Sequence, residues 1–310
     1  MSYQIPSSMV KQFSSNIYHL SQQEDSRLMP VITRKESITG EEKFFDRIGE
    51  VHVMEKTGRH SDTTFFDTPY SRRRVTMRDY YWADLVDKED KLRIIHNPES
   101  EYSKAARQAM GRKMDDIIIA ATLGTVYTGK NGATPIALPN SQKLGSTDGT
   151  NLSQMSVETL RALKEKFDES EVDDMGRYIV CGAKEIRAML SETEITNSDY
   201  NTVKALVNGE VNSFMGFNFI RIERLPYTQS VQVFDAATGE VGAGGDSIPI
   251  GSKRCFAFCQ SGMLAGIGAN PTARVSERPD KHYANQVYFS MSLGAMRMEE
   301  EKVIEFFTAQ

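Results

Sequence analysis

Gly124, Gly129 and Lys130, in the stretch GTVYTGKNG, occupy three of the four fixed positions of a phosphate-binding loop, G-x-x-x-x-G-K-[ST]. Such a loop follows a buried strand and opens a helix, whose amides and dipole then face the phosphates. Asn131 stands where the loop requires Ser or Thr. The order of elements is also reversed. Helical spacing ends at Gly124, and KNGATPIALPN cannot continue a helix past Asn131, Gly132 and Pro135. The fragment reads as a glycine-rich helix exit and turn, and a P-loop NTPase is kept only as an alternative reading.

The remaining reactive side chains do not converge on a nucleophile, a base and an orienting group. His19, His52, His60, His96 and His282 all lie in polar or turn settings, and none neighbours a credible nucleophile. His52 and His60 would meet only across a hairpin. CQSGMLAG resembles a nucleophile elbow around Ser261, but Cys259 stands where G-x-S-x-G needs glycine. Cys181, Cys255 and Cys259 each lie inside an apolar run and read as buried, reduced thiols. The acidic triple Glu299, Glu300 and Glu301, and the cluster Glu169, Glu171, Asp173 and Asp174, read as solvated faces or turns. The expectation is therefore no catalytic, cofactor-binding or metal-ligating residues: not an enzyme, and no cofactor.

At 310 residues the chain is long enough for one large domain or two ordinary ones. A net charge of -5 argues against a strongly basic nucleic-acid reader. MSYQIPSSMVKQF lacks the apolar core of a signal peptide, and no run of about 18 apolar residues exists to span a membrane. The protein is expected to stay in the cytoplasm where it is made, with no membrane partner.

Along the sequence, residues 1–40 are polar, carry Pro6 and Pro30, and show no sustained period; they read as an extended arm. Residues 41–96 hold two β-leaning segments around a polar interval and read as a long hairpin, with Arg72, Arg73 and Arg74 at its tip. SRRRV there is suited to contact an acidic patch of a neighbouring protein or a phosphate backbone. A two-stranded hairpin is marginal alone, so it must lie against something else.

Pro98 to Leu123 carries the strongest helical pattern. Asn97 suits the cap, Pro98 the first turn and Glu99 and Glu101 the positive end of the dipole, with apolar residues at helical spacing from Tyr102 to Leu123. At 1.5 Å per residue it would be roughly 39 Å long. A second helix begins near Ser156 with a stripe of Val157, Leu160, Leu163 and Phe167. Tyr178–Cys181 reads as a buried strand before a short helix, and Phe214–Pro226 as a strand whose apolar phase shifts between Phe219 and Ile220. Residues 227–252 read as a loop or irregular hairpin, RCFAFCQSGMLAGIG as a central strand, and Val287, Phe289, Met291 and Leu293 as the covered face of a final strand.

This succession of arm, hairpin, long helix, mixed α/β unit and closing strands resembles the major capsid proteins of tailed bacteriophages, the Hong Kong 97 type fold. NPESEYSKAARQAMGRKMDDIIIAATLG looks like the spine helix and its entry. VNSFMGFNFIRIERLP looks like the G-x-x-(V/F)-x-x-(S/R)-x-x-(L/M)-P strand of the axial domain, and NQVYFSMSLGAMRMEEEKVIEFFTA like the strand returning to the peripheral domain. The resemblance covers most of the sequence from about residue 41. It implies an α+β fold divided into an N-terminal arm (1–40), an extended hairpin loop (41–96), a peripheral domain with the spine helix (97–150, completed by 283–310) and an axial domain (151–282). It further implies self-assembly into pentamers and hexamers through arm and hairpin contacts, and an icosahedral shell around double-stranded DNA held by non-specific contact. A separate scaffolding protein and a portal protein are the expected partners, with assembly in the host bacterial cytoplasm and residence in the virion. An encapsulin-like compartment shell shares the fold and is the alternative.

Overall fold

The computed structural model describes residues 23–56, 58–59, 62–63, 65–86, 98–146, 152–191, 213–234, 241 and 246–309. Among them are three α-helices: α1 (Pro98–Leu123), α2 (Val157–Glu169) and α3 (Ala183–Ser191). The strands, in sequence order, are β1 (Thr33–Lys35), β2 (Glu42–Ile48), β3 (Tyr70–Thr76), β4 (Arg78–Val86), β5 (Val126–Thr128), β6 (Thr134–Ile136), β7 (Lys143–Gly145), β8 (Arg177–Cys181), β9 (Ser213–Phe214), β10 (Phe217–Arg221), β11 (Gln232–Phe234), β12 (Asp246–Ile248), β13 (Lys253–Cys259), β14 (Met263–Arg278), β15 (Ala284–Arg297) and β16 (Val303–Thr308).

α1 has the limits that its sequence pattern implies. Gly124 follows its last residue, and the Ala120 carbonyl oxygen approaches so closely that a Cβ at 124 would collide with it. In α2 the Ser156 hydroxyl accepts the Thr159 N–H at 3.3 Å, an N-cap, and Val157, Leu160, Leu163 and Phe167 are all buried. The expected cap at Asn97 lies outside the described residues.

The protein divides into two units. The larger (27–78, 114–268 and 293–310) is built on the six-stranded mixed sheet β7-β16-β13-β8-β10-β9. β13 is central, antiparallel to both β16 and β8, and Cys255 to Cys259 are buried on both faces, as the sequence implies. Phe256, Phe258, Phe306, Leu160, Leu163 and Phe167 fill the core. The smaller unit (1–26, 79–113 and 269–292) joins the first part of α1 to β4, the distal half of β14 and most of β15. Val287, Phe289 and Met291 are buried, with Trp82 edge-on to Phe289 at 6.4 Å; alternation along β15 is as expected.

Three expectations need correction. Phe214–Pro226 is not one strand: Met215 and Gly216, at φ 51° and 86°, turn the backbone into a hairpin between β9 and β10. The phase change in the sequence is downstream of that turn. GMLAGIG is not a continuation of β13; a 3-10 turn at Gln260–Gly262 separates it, and Met263 opens the long β14. The extended arm expected over residues 1–40 is packed in part. Leu28, Ile32 and Ile38 are buried and β1 pairs in parallel with β14, whereas residues 1–22 lie outside the described set. The burial follows from Asp115, which is itself buried and accepts the backbone N–H groups of Arg27 and Leu28, both at 3.1 Å.

A charged group that sequence reading passes over fixes α3. Buried Glu185 accepts the Gly182 N–H at 3.0 Å and the Thr308 hydroxyl at 3.1 Å, and the Lys253 ammonium lies 3.4 Å from it and 3.1 Å from Glu223. A Cβ at Gly182 would strike the Lys253 Nζ, so a side chain there would have to displace this charged group. Burial alone would push the Glu223 carboxyl up, but the Ala183 N–H and the Lys253 ammonium outweigh it and hold its pKa below the ordinary value. Burial likewise opposes the Lys253 charge, but Glu185 and Glu223 outweigh that and raise its pKa.

Asp115→Ala should strip one buried and one part-buried N–H group of their acceptor and destabilise the protein by about 1–3 kcal/mol in urea unfolding. The Glu223 contribution has a definite sign. Its folded pKa is depressed, so the stability it adds is present above the ordinary value of 4.5 and lost as pH falls through the folded value. Melting temperatures of the native protein and Glu223→Gln should therefore differ at neutral pH and converge in acid.

Candidate functional site: a hairpin and the arginines at its root

β2 and β3 pair antiparallel over seven positions, Glu42↔Thr76 to Ile48↔Tyr70, and β3 continues the sheet through β5 to β6. The pairing needs no special turn, since the connecting residues 49–69 are long. Their neck is closed by the Gly49 N–H donating to the Pro69 carbonyl at 2.8 Å. A Cβ at Gly49 would lie 2.8 Å from the Pro69 ring, so the crossing is a glycine.

Beyond the neck, large apolar side chains face solvent. Val53 is 97% and Phe65 90% exposed, and Val51, Met54 and Phe66 are more than half exposed. Scattered exposed apolar residues are ordinary, but this many within one connection make it a candidate contact surface.

The arginine triple is not at the tip, contrary to the sequence reading. It lies in β3, because the strand reaches from Tyr70 to Thr76 and the loop ends before it. Alternation then sends the three side chains to two faces. Arg72 and Arg74 take one face. Arg72 Nε donates to the directly opposed Asp46 at 2.6 Å, which holds the Asp46 carboxyl below its usual range. Arg74 donates to Glu42 at 2.7 Å and stacks on the Tyr127 ring at 4.9 Å. Both are paired with carboxylates within the subunit, so SRRRV is not a free basic patch.

Arg73 takes the other face and is buried. Its guanidinium donates to Glu300 at 2.5 Å, and Arg297 Nε is 3.8 Å from the other Glu300 oxygen. Arg297, also buried, donates to the Thr122 carbonyl at 2.6 Å and to that of Gly124 at 3.1 Å. It thereby caps the negative end of α1, where the last carbonyls lack helical partners. Arg47 of β2 completes the group, donating to the Met298 carbonyl and to Ser71 Oγ at 3.1 Å. Burial and the nearby Arg73 push the pKa of both Arg47 and Arg297 down, while Glu300 pulls each the other way. The acidic triple is therefore only partly a solvated turn. Glu300 is the shared counterion of a buried arginine cluster, and Glu299 pairs locally with Lys302. The second acidic run is similar: Arg177, buried, engages Asp168 and Asp174 at 2.8 and 3.2 Å.

Sequence reading missed Arg297 and Glu300 as a pair, although a signal existed. Arg297 falls in phase with Val287, Phe289, Met291 and Leu293, the covered face of β15, and a charge on a covered face demands a partner.

The remaining motifs separate in space. Gly129–Gly132 is the turn between β5 and β6, with the Gly132 N–H donating to the Gly129 carbonyl at 3.0 Å and no helix following, so no phosphate cradle is formed. Ser261 is exposed in a 3-10 turn rather than at a strand-to-helix elbow. His52 is exposed, 3.9 Å from Glu50, and His282 sits in a left-handed turn at φ 49°. His19, His60 and His96 lie outside the described residues. Cys181, Cys255 and Cys259 are buried free thiols, and burial pushes the first two well above the ordinary thiol range. Among the described residues, no three His, Cys, Asp or Glu side chains are grouped to hold a metal ion.

The model of a family described as phage capsid protein matches residues 5–307. A search of curated proteins finds no significant match. Among solved structures, the capsid of the cyanophage P-SCSP1u aligns with a TM-score of 0.74 at 16% identity, covering 97% of this protein and 93% of that one. The capsid asymmetric unit of the cyanophage Pam1 aligns with a TM-score of 0.70 at 12% identity, covering 99% and 98%. The capsid of Ralstonia phage GP4 gives 0.68 at 11%, covering 99% and 98%.

Removing one side of the buried pair should be severe: Arg73→Met or Glu300→Gln should each cost about 3–5 kcal/mol in chemical unfolding. The double variant should cost less than the sum by about 0.5–3 kcal/mol. Strict additivity would mean the two side chains do not interact.

Proposed function

The chain belongs to the phage capsid protein family, and on that premise we propose that it is the major shell subunit, closing through pentamers and hexamers around double-stranded DNA. The α+β architecture agrees with the Hong Kong 97 type expected from its sequence. The observation that carries the reading is the contrast within one hairpin. Its root is tied into the subunit by the ion pairs of Arg73 with Glu300 and Arg72 with Asp46, while its loop carries Val53, Phe65 and Phe66 in solvent. A loop whose apolar side chains have no cover of their own gains about 1.5–3 kcal/mol per large side chain when a neighbour covers it. Repeated on every subunit, modest contacts of this kind sum to a closed lattice.

In this reading residues 41–96 are the extended loop and α1 the spine of a peripheral domain that 283–310 completes. Residues 151–282 form the axial domain, and residues 1–40 are the N-terminal arm, anchored to its own subunit over residues 27–38. A separate scaffolding protein, a portal protein and the packaged DNA are the further partners, and the protein resides in the virion after assembly in the host cytoplasm.

Co-expressed with its scaffold, the protein should give closed particles in negative-stain images, with DNA and no cargo enzyme in particles taken from infected cells. The combined variant Val53→Ser, Phe65→Ser, Phe66→Ser should keep the native circular dichroism and melting temperature yet form no particles. Intact shells from that variant would remove the hairpin loop from the assembly contacts.

A further inference from the structure

The turn between β5 and β6 holds a reactive dipeptide, Asn131–Gly132. Thr128↔Thr134 closes the strand pairing, and residues 129–133 cross over between them. Gly129 and Gly132 both adopt positive φ, 95° and 62°, and Lys130 and Asn131 are exposed between them. Asn131 is followed directly by Gly132. The other described asparagines are followed by Ser141, Phe219, Pro271 and Gln286, each with a side chain or ring that crowds the next peptide nitrogen. Glycine has none.

We propose that Asn131 is a spontaneous modification site of the folded protein. The Gly132 backbone nitrogen, losing its proton to hydroxide, bonds to the carbonyl carbon of the Asn131 amide. The bond from that carbon to the amide nitrogen breaks, and the nitrogen leaves as ammonia after taking a proton from water. Water then opens the resulting five-membered imide at either carbonyl, leaving an aspartyl or isoaspartyl residue at position 131. No oxidant or enzyme is involved. The Gly132 N–H is engaged with Gly129 at 3.0 Å, so reaction requires that bond to open, and its rate reports opening of the turn.

The product alters the sheet that carries the hairpin root. A neutral amide becomes a carboxylate beside Lys130, and the isoaspartyl form adds a backbone atom to a turn with no slack. Gly132 is pressed so closely that a Cβ would sit 2.7 Å from the Arg74 side chain and 3.0 Å from the Phe44 ring. Arg74 in turn is held by Glu42 and Tyr127.

The test is peptide mapping by mass spectrometry of the full-length folded protein stored in alkaline and in mildly acidic buffer. Asn208–Gly209, the same dipeptide outside the described residues, is mapped separately. The peptide holding position 131 should gain the mass of an amide-to-acid conversion roughly tenfold faster per pH unit, as reaction through a deprotonated amide requires. Asn131→Gln should abolish it. The proposal is overturned if the amide persists in the folded protein while the same protein in denaturant converts, or if conversion ignores pH.

Discussion

A single carboxylate held between two buried guanidiniums sets where the hairpin leaves the body of the larger unit. Glu300 meets Arg73 from β3 on one side and Arg297 from β15 on the other. Arg297 also takes the last carbonyls of α1. Three segments far apart in sequence, the hairpin, the long helix and the closing turn, are thereby referred to one point. Buried ion pairs are poor sources of net stability because desolvation offsets the attraction. What such a pair does well is exclude alternatives: a hairpin shifted by one residue would place Arg72 or Arg74 in that pocket's phase and leave Glu300 opposite the wrong face.

The same hairpin is finished at one end and unfinished at the other. Each of the three arginines of β3 has an acidic partner within the subunit, on both faces of the strand. Its loop carries apolar side chains that nothing among the described residues covers. The rigid root aims the loop; the loop waits for a surface. A subunit that must first fold and then join a lattice needs this separation, since a loop buried at home would have nothing left to offer a neighbour.

Where sequence and structure agree, the deciding interactions are local. The helix from Pro98 to Leu123 and the α2 stripe follow from 3.6-residue spacing and their caps. The doubly buried β13 follows from an unbroken apolar run. Where they part, a residue's fate is set by something distant. Arg73 reads as a tip residue because nothing nearby in sequence names Glu300, and Glu300 reads as solvated because two acidic neighbours flank it. Leu28 and Ile32 look like members of a polar arm until Asp115, on a helix far along the sequence, accepts the Arg27 and Leu28 N–H groups and draws the segment inward.

The long helix, the α2 stripe and the glycine turn after Thr128 were readable from residue type and spacing, because periodicity, caps and turn glycines act within a few residues. The sharing of Glu300, the Lys253 group beneath α3 and the inward anchoring of residues 27–38 were decided only on folding. Charges pair by distance in space, and distance in space is what a linear sequence does not contain.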